Sequence, residues 1–297
     1  MFENMKKGWA LARATRKLVF GDRGLFIYPV LAAIISFIEF LAIFGSLVLS
    51  TFSVGAAANG SANTAAFIVA LVIYYFIVIF TSTYFLMAMM IAFKGYLKGN
   101  RISIGEAMSQ TAQYTKLIVQ WALFYTFVIM LIQILESRFR GIGRVLIGTI
   151  ASMVVALATF FAIQIILDKR LGPVGAVKES TKFIIAKFGK TFGGIVYSDL
   201  YALGFILGGI AAMALGGFLS AFSIVAGVVV LVAGFVLLVA GIIINFVLVN
   251  IYKLILYEYS NGGALPPGID KNLVDGSIRK KAASGGLFGN KVDDAQQ

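Results

Sequence analysis

Between Phe40 and Phe93 the chain contains no Asp, Glu, Lys or Arg. Similar charge-free runs cover Leu117–Leu135, Val145–Leu167 and Leu200–Tyr252. About a quarter of the residues of a soluble domain are charged, so runs of this length belong in lipid. A helix crosses the hydrocarbon core with about 20 apolar residues. The first and last runs are too long for one crossing, so each must turn once. The first turn is placed on the small, polar stretch Ser53–Thr64, which includes Asn59-Gly60-Ser61-Ala62-Asn63, and the last near Ser220–Ser223. Backbone polar groups in lipid must be satisfied within the segment, which selects helices, and no short alternating barrel strands are seen.

These runs predict an all-α polytopic membrane protein. Six transmembrane helices are expected at about 25–52, 65–93, 115–136, 143–167, 194–219 and 224–256, arranged as three hairpins. Each hairpin is expected to follow a basic amphipathic helix at the cytoplasmic interface. Residues 1–259 would form the transmembrane domain and 260–297 a flexible cytoplasmic tail. The N-terminal basic stretch runs to Arg23, and the apolar run after it is too long for a cleavable signal, so it is read as a retained first span.

Composition narrows the chemistry. Hydrophobic residues make up 60% of the 297 and charged residues 13%, which excludes a soluble globular enzyme and a disordered tail protein. Cysteine and histidine are both absent. Disulfides, Cys-ligated metals and Ser-His-Asp, Cys-His or HExxH chemistry are thereby removed. The expectation is a protein with no enzymatic activity and no cofactor. No phosphate-binding loop of the form GxxxxGK[ST] occurs.

Charge distribution orients the spans. Of the 25 Lys and Arg residues, only Arg138, Arg140 and Arg144 fall in the turn between spans three and four, and the turns after spans one and five carry none. The other 22 fall in the N-terminal segment, the 2–3 and 4–5 connections and the C-terminal segment. The positive-inside rule then places both termini in the cytoplasm of a cell-membrane protein. The net charge of +12 is read as an attraction to lipid headgroups, not to nucleic acid. A second copy, or another membrane subunit, is the remaining class of partner.

The basic segments at about 4–21, 100–115 and 173–191 suggest a threefold internal repeat. The second and third align with Ala107 on Ala176, Thr111 on Ser180 and Tyr114 on Phe183; the first aligns more loosely, with Ala10 on Ala176 and Thr15 on Thr181. In the third segment Ala176, Val177, Phe183, Ile184 and Phe188 share one face, and Lys178, Glu179, Lys182 and Lys190 the other. Lys187 falls on the apolar face and would have to snorkel. Such helices can lie in the membrane interface or act as connectors that cap the bundle. Lys6, Lys7, Arg13, Arg16, Lys178 and Lys182 are the candidate headgroup contacts. Arg279-Lys280-Lys281 in the tail is a further one.

Glu39 is the charged residue deepest inside any span, and an intramembrane carboxyl marks a candidate site by default. Gln164 and Asn245 join it as candidate intramembrane polar residues, either as interhelical glue or as the lining of a hydrophilic cavity. Asp199 is read as a helix-start or interface anchor. On the external turn, Glu136, Arg138, Arg140 and Arg144 form a candidate cluster, with Glu136 and Arg140 at a spacing that pairs on a helix. In the last two spans, Gly204, Gly208, Ala212, Gly216 and Ser220 recur every four residues, and Gly227, Gly234 and Gly241 every seven. These rows predict a tightly packed pair of helices.

The order of features resembles an uncharacterised, mainly archaeal family of six-span membrane proteins known only as a domain of unknown function. The resemblance covers nearly the whole chain. It rests on Gly8-Trp9 leading to Phe26-Ile27-Tyr28-Pro29-Val30, on Leu135-Glu136-Ser137-Arg138-Phe139 with Gly143-Arg144-Val145, and on Ala158-Thr159-Phe160-Phe161. It continues through Leu171-Gly172-Pro173-Val174-Gly175-Ala176-Val177-Lys178-Glu179-Ser180, then Leu256-Tyr257-Glu258-Tyr259 before the Pro267-Gly268 turn. The family often has a proline after Thr-Phe-Phe, where this chain reads Ala162-Ile163-Gln164-Ile165. More distantly the chain is similar to the membrane domain attached to some glycerophosphodiester phosphodiesterases, without their soluble catalytic domain. The resemblance implies architecture and location, with no activity and no site residues. The leading expectation is a non-enzymatic protein that organises or senses the bilayer. The alternative is a transporter or channel for a small solute or lipid, using Glu39 and the intramembrane amides.

Overall fold

A computed structural model describes residues 2–53, 60–185, 193–263, 265–266, 269–271 and 274. Among them there is no strand. The helices are α1 (Phe2–Gly21), α2 (Ile27–Ser53), α3 (Gly60–Leu97), α4 (Ile104–Ala112), α5 (Thr115–Ser137), α6 (Ile142–Ala158), α7 (Ala162–Lys169), α8 (Pro173–Phe183), α9 (Gly193–Leu219) and α10 (Ile224–Ser260). A short 3-10 turn, Arg23–Phe26, links α1 to α2, and its Gly24 N–H donates to the Asp22 Oδ1 at 3.2 Å. Six helical stretches are long and apolar enough to cross a membrane: Arg23–Ser46, Ala65–Leu97, Thr115–Ser137, Ile142–Lys169, Ser198–Leu219 and Ile224–Ser260.

Local chemistry explains the helix ends. Ser103 caps α4 by accepting from the Glu106 N–H at 3.2 Å, and Ser223 caps α10 by accepting from Ala226 at 3.4 Å. Pro173 opens α8, where its missing N–H costs nothing. The polar residues Gly60 to Thr64, expected in a turn, instead form the first turn of α3.

The fourth span is broken. α6 stops at Ala158 and α7 begins at Ala162, without a proline or glycine between them. Ser180 in α8 supplies the compensation: its Oγ accepts from the Phe161 N–H at 3.0 Å, both residues being buried. A hydroxyl from a distant segment thus replaces the helical acceptor that the break removes.

The core lies at the end where the Lys and Arg residues gather. It is built from Leu11 and Val19 of α1, Leu25, Phe93 of α3, Ile118 of α5, Phe161 with Ile165 of α7, and Ile251 with Tyr257 of α10. α10 is roughly 55 Å long at about 1.5 Å per residue, against a hydrocarbon core of about 30 Å. Its last part is therefore buried in protein, from Val247 to Tyr257, while Val228, Val232 and Val236 are more than half exposed. After Ser260, Ile269 and Val274 also pack into this core; Arg279-Lys280-Lys281 lies outside the described residues.

α9 and α10 share the most extensive helix contact. A Cβ on Gly234 would lie 2.7 Å from the Met213 N, and one on Gly209 2.7 Å from the Leu238 N. Gly216 meets Leu231, and Gly241 meets Phe205 and Ile206. The sevenfold row Gly227, Gly234, Gly241 is wholly buried as expected. The fourfold row holds in part: a Cβ on Gly208 would meet Leu237 at 3.3 Å, and Gly216 and Ser220 lie on the contact face, but a Cβ on Gly204 would meet nothing within 4 Å, and the face also runs through Gly209 and Met213. A spacing of four turns about 40° beyond a full helical turn at each step, whereas seven falls only about 20° short of two turns.

Candidate functional site

At the basic end, the last turns of α3, α7 and α10 bring four polar side chains together. The Lys94 Nζ lies 2.7 Å from a Glu258 oxygen and 3.7 Å from an Asp168 oxygen. The Tyr257 hydroxyl donates to Asp168 Oδ2 at 3.1 Å. The side chains of Lys94 and Glu258 are 23% and 21% exposed, so this pair is neither a surface ion pair nor a fully dry one. Removing one partner should cost about 1–3 kcal/mol, between those two limits. In the sequence, Lys94 reads only as one of the positive charges that orient the spans. Its partners are far away in the chain, and the signal available was merely that Asp168 and Glu258 lie just beyond charge-free runs.

A second ion pair ties α7 to α8, where Lys169 donates to Glu179 Oε1 at 2.6 Å. That hydrogen bond and charge hold the Glu179 carboxyl below the usual range. The next residue, Arg170, has a left-handed backbone (φ 52°), the only positive φ of a non-glycine among the described residues. Its guanidinium stacks 4.9 Å from the centre of the Tyr114 ring. Tyr114 lines a cavity of about 510 Å³ with Ile91, Lys94, Lys98, Asn100 and Gln113.

The basic helices are part of the bundle. Leu11, Ala12, Thr15 and Val19 of α1 are buried, and α1 packs on α9 and α10. Arg13 remains exposed, while the Arg16 guanidinium lies 4.7 Å from the centre of the Tyr201 ring. In α8, Ala176 and Ser180 are fully buried, and Lys178 and Lys182 are exposed. The side chains of Lys6 and Lys7, and Lys187, Phe188 and Lys190 altogether, lie outside the described residues.

The intramembrane candidates do not form one site. Thr81 of α3 donates to Glu39 Oε1 at 2.6 Å, and Glu39 Oε2 is buried without a hydrogen-bond partner. Asn245 instead donates to Asp199 Oδ1 at 3.2 Å, joining α10 to α9. Asp199 is therefore part of an interhelical hydrogen bond and not a cap, because α9 begins earlier, at Gly193. Gln164 is 2% exposed within α7. Gln133 donates to the Tyr75 hydroxyl at 3.4 Å across α5 and α3, and Asn250 to the Phe246 carbonyl of its own helix.

The external cluster is also taken apart. α5 ends at Ser137, so Arg140 is not on a helix with Glu136 and the expected pairing geometry is lost. No ion pair joins these residues among those described: Arg138, Arg140 and Arg144 are exposed, and the Glu136 carboxyl packs against Gly148 of α6. Gly141, with φ 56°, makes the intervening turn. No group of three or more metal-ligating acidic side chains occurs among the described residues.

Residues 61–266 match the family of unknown function DUF6159. No curated protein and no solved structure matches the chain.

Proposed function

From the premise that the chain belongs to the DUF6159 family of unknown function and carries six helices fit to cross a membrane, we propose that it is a non-enzymatic, lipid-interacting protein that organises the bilayer around its basic end. One observation carries this reading: α1 and α8 bury their apolar faces in the bundle while Arg13, Lys17, Lys178 and Lys182 stay exposed. A helix floating in the interface spends its apolar face on acyl chains. These helices spend it on protein, so their charges are held at fixed positions. Each Lys or Arg near an anionic surface contributes about 1 kcal/mol.

In this reading the protein spans the cell membrane with both termini in the cytoplasm, and anionic lipids are its partners. The charge asymmetry supports that orientation. The chain is also read as a triplicated unit. Supporting this, Ala107 with Thr111 and Ala176 with Ser180 are buried in matching register, and Leu11 with Thr15 repeats the pattern one residue along from the looser alignment. The lipid reading is preferred over a solute transporter because Glu39 and Asn245 each meet a neighbouring helix, as interhelical glue does.

The test is lipid enrichment around the purified full chain in nanodiscs containing equal amounts of phosphatidylglycerol and phosphatidylcholine. Enrichment of phosphatidylglycerol that falls in a Lys178→Gln/Lys182→Gln variant is expected. Equal recovery of the two lipids would overturn the proposal.

A further inference from the structure

We infer that the cavity between α3, α4 and α7 binds a phosphate anion, through Lys98, Lys94, Arg170 and the side-chain amides of Asn100 and Gln113. This deepens the lipid-interaction reading and rests on it. The cavity holds about 510 Å³ and opens at the basic end. Its polar lining is Lys94, Lys98, Asn100, Gln110, Gln113 and Tyr114, over an apolar floor of Ile91, Ile102 and Leu167. No carboxylate is among these lining residues.

The backbone holds the donors in place. α3 ends in a turn where Gly99 takes φ 75°, its N–H donates to the Tyr96 carbonyl at 3.0 Å, and that of Asn100 to the Gly95 carbonyl at 3.0 Å. A Cβ on Gly95 would lie 2.5 Å from Ile102 Cγ1 and 2.8 Å from the Asn100 carbonyl oxygen. Glycine is therefore needed there for the turn to fold back and set Lys98 and Asn100 at the rim.

The charges are accounted for one by one. Lys94 is ion-paired with Glu258 at 2.7 Å and lies 3.7 Å from Asp168, and its ammonium carries three N–H donors. Glu106 accepts from Gln110 at 3.2 Å. Lys98 makes no ion pair among the described residues and is exposed. Arg170 does not itself line the cavity, but its guanidinium is stacked 4.9 Å from the ring centre of the lining Tyr114, which makes it the third cation of the proposal. It does so from a left-handed backbone that glycine would adopt freely, and strain retained at such a position points to a use for the side chain. Lysines with amide donors and an apolar floor suit a phosphate carried on a lipid headgroup or on a small soluble ester.

The experiment is native mass spectrometry of the full chain released from nanodiscs of mixed phosphatidylglycerol and phosphatidylcholine, with and without glycerol 1-phosphate. Wild type should retain phosphatidylglycerol, and Lys98→Gln and Arg170→Gly should each retain about fivefold less, the change that one charge makes near an anionic surface. Arg170→Gly removes the charge while easing the backbone, so an unchanged or raised Tm in that variant separates lost binding from lost folding. Displacement by glycerol 1-phosphate assigns the site to soluble phosphate esters; its failure to displace assigns it to the membrane-anchored headgroup. If both variants retain lipid as wild type does while Lys178→Gln/Lys182→Gln does not, this site is overturned and the surface reading stands. If wild type shows neither lipid preference nor phosphate binding, both are overturned.

Discussion

Phe93, Phe161, Ile251 and Leu254 at the basic end are at most 1% exposed, whereas Phe127, Ile150, Met153 and Val229 towards the far end are about 60% exposed. The residue types are similar; the surroundings are not. In water such a far end would be a large aggregation-prone surface. In lipid, apolar side chains lose nothing by facing acyl chains, and helices associate through close packing and hydrogen bonds. The basic end is thus built like the interior of a soluble protein. The far portions of the helices are held by glycine contacts such as Gly234 on Gly209 and by single bonds such as Thr81 to Glu39.

The contrast can be broken most forcefully at Phe161, which is fully buried and contacts the rings of Phe160, Phe183 and Tyr257. Phe161→Ala should cost about 3–5 kcal/mol, whereas Phe127→Ala, facing lipid, should stay within about 0.5 kcal/mol. Reversible unfolding in mixed micelles reads both; equal losses would erase the distinction. Next comes Gly234→Ala, whose new Cβ would sit 2.7 Å from the Met213 backbone nitrogen. A loss of about 1–3 kcal/mol is expected, against near neutrality for Gly204→Ala, which meets open space.

Ser180→Ala leaves the buried Phe161 N–H without its acceptor and should cost about 1–3 kcal/mol. Faster amide exchange confined to α6 and α7 would locate the effect. Glu39→Gln, judged by the same unfolding measurement, should change stability by about 0.6 kcal/mol, the average for an interhelical bond in a membrane. The smallest effect concerns pH. Glu179 is held below its ordinary pKa by Lys169, so the pair stabilises above the unfolded value and is lost as pH falls through the folded one. Acidification below about pH 4 should therefore loosen only the tether between α7 and α8, in wild type but not in Glu179→Gln.

Much of this plan was legible in the residues, for identifiable reasons. Lipid excludes charge over a fixed thickness, so the charge-free runs locate six spans directly. The heptad of glycines in α10 was readable because seven residues return to the same face. The fourfold row in α9 was informative only in part, at Gly208, Gly216 and Ser220, because it drifts off that face, leaving Gly204 outside the contact and hiding Gly209. The break in the fourth span carried no local signal, since its stabilising hydroxyl, Ser180, belongs to another helix. The Lys94–Asp168–Glu258–Tyr257 network was hidden in the same way, as was the cavity beside it. In the third basic segment, periodicity put Ala176 and Ile184, which are buried, on one face but could not say whether lipid or protein would cover that face.

Burial of the inner face of α8 is the most direct test of the account. The chain has no cysteine, so single Cys substitutions report without background. In native membranes, Lys178→Cys should react readily with N-ethylmaleimide, while Ala176→Cys, buried against the bundle, should react only after denaturation. Equal reaction rates at the two positions would mean that the Ala176 face of α8 lies open to water rather than packed into the bundle, and would contradict the account.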